Sequence, residues 1–348
     1  MEDDVRRNSF TTIRDGLSEW LRTVKYLNVQ RITYDQYERT ANRYINLIIG
    51  DIPIQEVTAV NIKRLLNMMN EKGLAFATTE KVRLILNEYF RYLVLKGDIK
   101  KSPFEMLQPV KRSAYESSQG REVQARTDRV IVFTPEEIEM MRDTYYKHKD
   151  DKRSIYRQSA VYFLMLNTGL RRGEMCGLLN SDIDMRNRVL RVRRSVKYIK
   201  KRVNGKPVPG RELRIGAPKT AHSIRCVPLN YVALEMIKQL RKEFYFGADK
   251  PLLCTKDGGF TIPDALTMRF RQFQIEAGIA EPKPLHALRH TFATNLINGV
   301  AQPGGSIQRL TLKQVADILG HKTTSITEQF YVKRDFSKLK GLTDEFEL

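Results

Sequence analysis

Two arginines, two histidines and a tyrosine stand in an order that suits cleavage of a phosphodiester. Arg171 lies in Thr168-Gly169-Leu170-Arg171-Arg172-Gly173-Glu174, His286 and Arg289 in His286-Ala287-Leu288-Arg289-His290, and His321 in Ile318-Leu319-Gly320-His321. Tyr331 follows ten residues after that histidine. Breaking a DNA backbone without a metal requires a nucleophile able to hold the phosphate, fixed positive charge about the non-bridging oxygens, and an acid for the departing oxygen. Arginine suits the second task, because its planar fork meets two oxygens at once and stays charged at any physiological pH. His286 and Arg289 are three apart, which places them on one side of a helix. A phenol is a poor nucleophile at neutral pH, so Tyr331 needs neighbouring cations and a proton acceptor. Taken singly, each piece has an ordinary reading: an arginine at a helix-capping turn, a structural histidine–arginine pair, a tyrosine on an amphipathic helix.

Together, the order and spacing resemble the tyrosine recombinases, the family of the phage integrases. The most specific stretch is His286-x-x-Arg289 with Leu288 and the continuation His290-Thr291-Phe292-Ala293-Thr294. The resemblance implies that Arg171, which directly follows the Thr-Gly-Leu turn, is the first phosphate clamp in preference to its neighbour Arg172, and that Arg289 is the second. It implies that His286 and His321 hydrogen-bond the scissile phosphate, His286 also handling the tyrosine proton, and that Tyr331 is the nucleophile. Glu174 matches the acidic residue three positions after the first arginine and would orient it. Lys219, in Ala217-Pro218-Lys219-Thr220 ahead of Cys226-Val227-Pro228-Leu229, matches the lysine that protonates the leaving 5′ oxygen.

Composition agrees with a polyanionic partner. The 348 residues carry a formal net charge of +20, and a protein this basic usually meets nucleic acid. The charge is concentrated: 191–225 holds twelve Lys and Arg against the single acidic residue Glu212. Arg172, Arg193, Arg194, Lys197, Lys200, Lys201 and Arg225 are the candidate DNA contacts, set against the alternative of a solvated basic face. The N-terminus is acidic, no apolar run reaches eighteen residues, and neither a signal peptide nor a membrane span is expected. The cysteines Cys176, Cys226 and Cys254 show no zinc spacing and read as buried or inert thiols in a reducing cytoplasm. Asp182 and Asp184 lack a third carboxylate and read as structural, so no metal is expected. No phosphate-binding Gly-x-x-x-x-Gly-Lys-Ser/Thr loop occurs, so no ATP use and no cofactor are expected.

These residues must be held by elements, and the apolar spacing supplies them. Four short helices are read over 10–27, 33–49, 58–73 and 78–97, the third opened by Thr58 and the fourth closed by Gly97. A polar, proline-interrupted stretch follows. Thr134-Pro135-Glu136-Glu137 is a capping box that starts a new domain. A helix is expected over 154–168 and strands over 182–229, with turns at Asn204-Gly205 and Pro209-Gly210. Helices resume at 231–245 and 263–277 and again from His286. The fold class is α+β, mainly α: a small all-α domain over 1–108, a linker over 109–132, and a mixed helical domain with a small antiparallel sheet over 133–348. The resemblance implies that these are a core-binding, SAM-like domain and a catalytic domain with a C-terminal tail, which together clamp DNA.

The expected activity is that of a site-specific recombinase. It cuts and rejoins double-stranded DNA through a 3′-phosphotyrosine intermediate without metal or ATP, and integrates or excises a mobile element. Family members act as homotetramers on two duplexes, some with an excisionase or a host DNA-bending protein, in the bacterial cytoplasm at the nucleoid. The extra hairpin near 198–213 and the spacing from His321 to Tyr331 resemble integrases of conjugative transposons, which often carry an additional N-terminal arm-binding domain. The rival readings are a catalytically silent architectural protein on the same scaffold, a Xer-like resolvase, and a topoisomerase-like enzyme. The filled set of six site positions argues against the first.

Overall fold

The computed structural model describes residues 11–120, 130–203, 206–217, 224–301 and 307–331. Contacts divide the chain into two units, the first formed by the described residues of Met1–Val123 together with those of Ile199–Arg211. Helix α1, Ile13–Trp20, runs through a π-helical turn at Leu21–Lys25 into Tyr26–Asn28. Helix α2, Arg31–Thr40, likewise passes into a π turn at Ala41–Ile45. Helix α3, Ala59–Glu71, opens on a reciprocal cap: the Thr58 hydroxyl accepts the Asn61 N–H at 3.4 Å, and Asn61 Oδ1 accepts the Thr58 N–H at 2.8 Å. Helix α4, Phe76–Lys96, stops at Gly97, whose φ of 85° is left-handed. The four helices read from periodicity are present. Ile13, Leu17, Trp20, Ile45, Ile62, Leu65, Leu86 and Phe90 meet in one core.

The stretch read as a linker carries one more helix, α5, Arg112–Ser117. Its anchor is Tyr115, which is buried, donates its hydroxyl to the Leu74 carbonyl at 2.9 Å and lies 2.7 Å from Thr79 Oγ1. Six residues with one aromatic anchor carry no apolar period, so the helix left no signal in the sequence.

The second unit holds the described residues of Gln124–Tyr198 and Glu212–Leu348. Its first helix, α6, Pro135–His148, begins on the expected capping box. Helix α7, Ala160–Thr168, is apolar and buried on nearly every side. It starts later than the periodicity implies, because residues 154–159 form turns, with the Ser159 hydroxyl bonded to the Tyr156 carbonyl at 2.6 Å. After α8, Arg172–Gly177, three antiparallel strands follow in the order β1 (Ile183–Asp184), β2 (Val189–Val192) and β5 (Arg225–Pro228), with Leu190 opposite both Ile183 and Val227. Between β2 and β5 the chain leaves as a hairpin, β3 (Ser195–Val203) and β4 (Lys206–Gly216). No turn forms at Pro209-Gly210. Strand β4 runs through it, with Gly210 at φ 97°. Asn204-Gly205 lies outside the described residues.

Helices α9 (Tyr231–Glu243) and α10 (Pro263–Glu276) complete the scaffold, with α9 packed along α7. Helix α11, His286–Asn298, also packs on α7. The short strands β6 (Val300–Ala301) and β7 (Ile307–Gln308) pair antiparallel. Helix α12, Leu312–Leu319, and helix α13, Thr324–Tyr331, close the described chain, α13 resting on α11 and α12. Leu164, Leu190, Val227, Leu240, Phe270 and Leu288 belong to the core of this unit. Among the described residues no helix is long and apolar enough to cross a membrane.

Candidate active site

Three helix ends converge in the second unit. Helix α7 stops at Gly169, whose φ of 63° suits glycine. A Cβ there would stand 2.6 Å from the Phe292 ring and 3.0 Å from Leu319. The residue is therefore held to glycine by backbone conformation and by the close approach of α11 and α12. Leu170 is buried, and Arg171 caps α8. On the opposite side α12 ends on Gly320, also left-handed at φ 65°, which turns the chain so that His321 follows at once, its N–H bonded to the Ala316 carbonyl. Helix α11 brings Arg289 between these two turns.

Arg289 is only 2% exposed. Its Nη1 donates to the Gly169 carbonyl at 2.6 Å and its Nη2 to the Leu319 carbonyl at 2.7 Å, with Nη2 also 3.1 Å from His321 Nε2. These carbonyls are the last acceptors of α7 and α12, which helix geometry leaves without partners of their own. One guanidinium thus ties both turns and fixes a positive charge beneath His321. Arg171 is more open, with 36% of its side chain exposed, and donates to Glu174 Oε1 at 2.8 Å.

Glu174 is the electrostatic pivot. Its carboxylate accepts the Arg171 backbone N–H at 2.9 Å and a fork from Arg225 at 3.1 and 2.9 Å. Burial alone would raise its pKa. The Arg225 hydrogen bonds overcome that, followed by the charges of Arg225 and Arg171, and hold the carboxyl down at about 2. Arg225 also donates its Nε to the Ile318 carbonyl at 2.6 Å. Burial foremost, then the cations Arg289, Arg171 and Arg225, press the His321 imidazole down to about 3. His286 keeps an open face. Lost hydration, then His290, Arg289 and Arg171, hold it below the usual imidazole range. The rings of His286 and His290 meet edge to face at 4.5 Å. At neutral pH the histidines are neutral and the net positive charge here belongs to the arginines.

Arg171 is bonded to Glu174 and Arg289 to His321, Arg171 Nη2 also reaches the Gly320 carbonyl at 3.4 Å, and His286 stands on the same helix as Arg289. Tyr331 is the last residue of α13. Its side chain, and Lys219 altogether, lie outside the described residues. Among the expected DNA contacts, Arg193 and Lys201 are exposed and Lys197 is half-buried. Arg225 must be corrected: it is 8% exposed, and its guanidinium holds Glu174 and the end of α12 rather than facing outward. Arg194 likewise pairs with the buried Asp182, Arg172 with Asp264 at 3.1 Å and Lys200 with Glu38 at 3.1 Å. Cys176 and Cys254 are buried, burial pushing the Cys176 thiol up to about 12, and Cys226 is exposed. Sequence reasoning missed two members of the site. Arg225 was singled out only as a DNA contact, its link to Glu174 hidden in a run of cations. Thr327, fully buried with its hydroxyl 2.8 Å from His321 Nδ1, carried no signal beyond its place between His321 and Tyr331.

The chain matches the Phage integrase family over residues 131–338, and the phage integrase N-terminal SAM-like domain over 12–70. A Tyrosine recombinase XerC-like protein of Caldanaerobacter subterraneus subsp. tengcongensis is 28% identical, the alignment covering 96% of this chain and 83% of that protein. The Tyrosine recombinase XerC of Chlorobaculum parvum is 24% identical over 84% of this chain and 79% of its own. Among solved structures, the Tn1549 transposon integrase in complex with transposon right end DNA superposes with a TM-score of 0.71 at 23% identity, covering 96% of this chain and 99% of that one. A lambda integrase tetramer bound to a Holliday junction gives 0.64 at 19% identity, covering 94% and 80%. The SAM-like match falls on the helical unit and the integrase match spans the arginine–histidine cluster, so the chain belongs to the phage integrase family, the tyrosine-type site-specific DNA recombinases.

Proposed function

We propose that this chain cuts and rejoins double-stranded DNA through Tyr331, integrating or excising a mobile element, with the arginine–histidine cluster as the phosphate site. The observation that carries the reading is the convergence of Arg171, Arg289 and His321 at the ends of three helices, with Glu174 fixing the first of them. Arg289 supplies a fixed charge below the phosphate and the more open Arg171 a fork toward its non-bridging oxygens. His321 and His286 donate hydrogen bonds to the same oxygens. Being neutral, they do so without adding charge that would have to be neutralised when the DNA leaves.

In the chemical step the Tyr331 oxygen attacks the scissile phosphorus and the bond from phosphorus to the 5′ oxygen breaks. The phenol proton passes to His286. Lys219 gives a proton to the departing 5′ oxygen, leaving a 3′-phosphotyrosyl link and a free 5′-hydroxyl. The 5′-hydroxyl of a partner strand then attacks the link and releases the tyrosine. One phosphoester replaces another of similar energy, so rejoining needs no nucleotide. The working assembly is four protomers on two duplexes, sited with the chromosome in the cytoplasm. An excisionase or a DNA-bending protein would set the direction.

The test is an SDS-resistant protein–DNA adduct in EDTA on nicked duplexes from the DNA flanking the gene, with Tyr331→Phe beside the wild type. An adduct formed by wild type alone, mapping to Tyr331 on a 3′ phosphate, is expected. Tight, salt-sensitive binding with no adduct on any duplex would refute the catalytic reading in favour of a DNA-binding scaffold.

A further inference from the structure

The two sides of the His321 ring have partners of different chemistry. Nε2 faces Arg289 Nη2 at 3.1 Å, and Nδ1 faces Thr327 Oγ1 at 2.8 Å. A guanidinium has donors and no acceptor, so Nε2 must accept and carries no proton. A protonated ring would set a second cation against Arg289, which the fall of the His321 pKa to about 3 rules out at neutral pH. The single ring proton is therefore on Nδ1 and is donated to the threonine hydroxyl.

That is the wrong nitrogen for the reaction. To bind a phosphate oxygen, His321 has to donate from Nε2, and a neutral ring can do so only if Nδ1 becomes the acceptor. A hydroxyl serves both states, because it can accept from Nδ1–H or rotate and donate to bare Nδ1. Thr327 is 0% exposed, so water does not substitute for it. It lies on α13 four residues, about one helical turn, before Tyr331. We propose that Thr327 is a positioning residue that lets His321 change tautomer: proton on Nδ1 in the free site, where Arg289 keeps Nε2 bare, and on Nε2 once a phosphate engages Arg289 and the ring. Because the hydroxyl arrives with α13, the helix that carries the nucleophile also makes His321 competent to donate.

This inference rests on the proposed phosphate role of His321, and its test separates the two. The full chain, labelled with 15N at histidine and with the His321 resonances assigned by a His321→Gln variant, reports which ring nitrogen is protonated. In the free wild type the proton should sit on Nδ1. Thr327→Ser should keep that tautomer and near-normal strand cleavage. Thr327→Val, of the same shape without the hydroxyl, should keep Nδ1 protonated when free, because Arg289 still faces Nε2, but unlike wild type should fail to move the proton to Nε2 on a bound nicked duplex. It should slow adduct formation there on the order of tenfold to a hundredfold, the range for removing the orienting partner of a ligating histidine, with DNA affinity unchanged. A free wild type protonated on Nε2, or a folded Thr327→Val that moves the proton to Nε2 on bound DNA as wild type does, overturns the proposal. If the tautomers behave as stated but wild type cleaves no duplex, the recombinase reading fails and the assignment of Thr327 as the partner that permits the tautomer change stands.

Discussion

Glu174 shows why a buried carboxylate belongs beside the proposed phosphate site. It cannot contact a phosphate, yet it holds Arg171 by backbone and side chain and keeps Arg225 paired. Glu174 and Arg225 have side chains only 3% and 4% exposed, and removing one partner of such a pair leaves the other charge buried and uncompensated. Glu174→Gln is therefore expected to cost about 3 kcal/mol of stability, measured by denaturant unfolding, and to slow cleavage by freeing Arg171. The pH dependence has a definite sign. The Glu174 carboxyl is depressed from 4.5 to about 2, so its contribution is present above about pH 4.5 and is lost as pH falls toward 2. His321, depressed from 6.5 to about 3, acts in the same direction from about pH 6.5 downward, because the unfolded chain takes up its proton first. Melting temperature followed into acid should fall for wild type through both windows. In Glu174→Gln the lower window should flatten while the upper one remains. Arg171, Glu174, Arg289 and His321 could be picked out from sequence because each sits in a short segment with a fixed neighbour pattern. Arg225 and Thr327 could not, since their importance lies in what they touch across the fold, and lysine, arginine and threonine are common at every such position.

At the level of elements, what the sequence did not announce about the hairpin β3–β4 is where its tip docks. Its strands were legible from alternating apolar residues, but its tip, Ile199–Arg211, groups with the helical unit. The reason is Arg202. Its side chain is 1% exposed, donates to Asp35 at 2.7 Å and to Glu38 at 2.8 Å, and lies over the Tyr34 ring at 4.6 Å. Neither the hairpin period nor the α2 period predicts this pairing, which joins residues far apart in sequence. Helix boundaries failed for similar reasons: α7 starts late because local turn bonds compete with its first expected turn, and α5 exists because one tyrosine reaches a distant carbonyl. Arg202→Leu would leave Asp35 and Glu38 without their buried partner, a loss on the order of 3–5 kcal/mol for such a pair. Amide exchange should then quicken along 199–203 and in α2, while the second-unit core around α7 and α9 keeps its protection. Equal acceleration in both regions would show that the hairpin tip is not held by this ion pair.

Across the whole molecule, net charge overstates the surface available to DNA. Several cations in the basic stretch are engaged internally: Arg194 by Asp182, Lys200 and Arg202 by Asp35 and Glu38, and Arg225 by Glu174. The surplus of +20 still demands a polyanion, but the phosphate contacts must come from cations outside these pairs. Arg193 and Lys201 are exposed and were expected at the DNA. Each phosphate contact releases counterions, so the logarithm of affinity falls with the logarithm of salt by about 0.9 per contact. Replacing both residues with alanine should lower affinity for every duplex to a similar degree and make that slope shallower by about 2. Catalysis on bound DNA should be preserved, because neither residue bonds to the arginine–histidine cluster. The informative comparison is with Arg225→Ala. If Arg225 acts as the buried pair indicates, its removal should reduce stability and cleavage and leave the salt slope unchanged. A slope that drops with Arg225 and not with Arg193 and Lys201 would reverse the assignment and place the DNA on the Glu174 side of the hairpin.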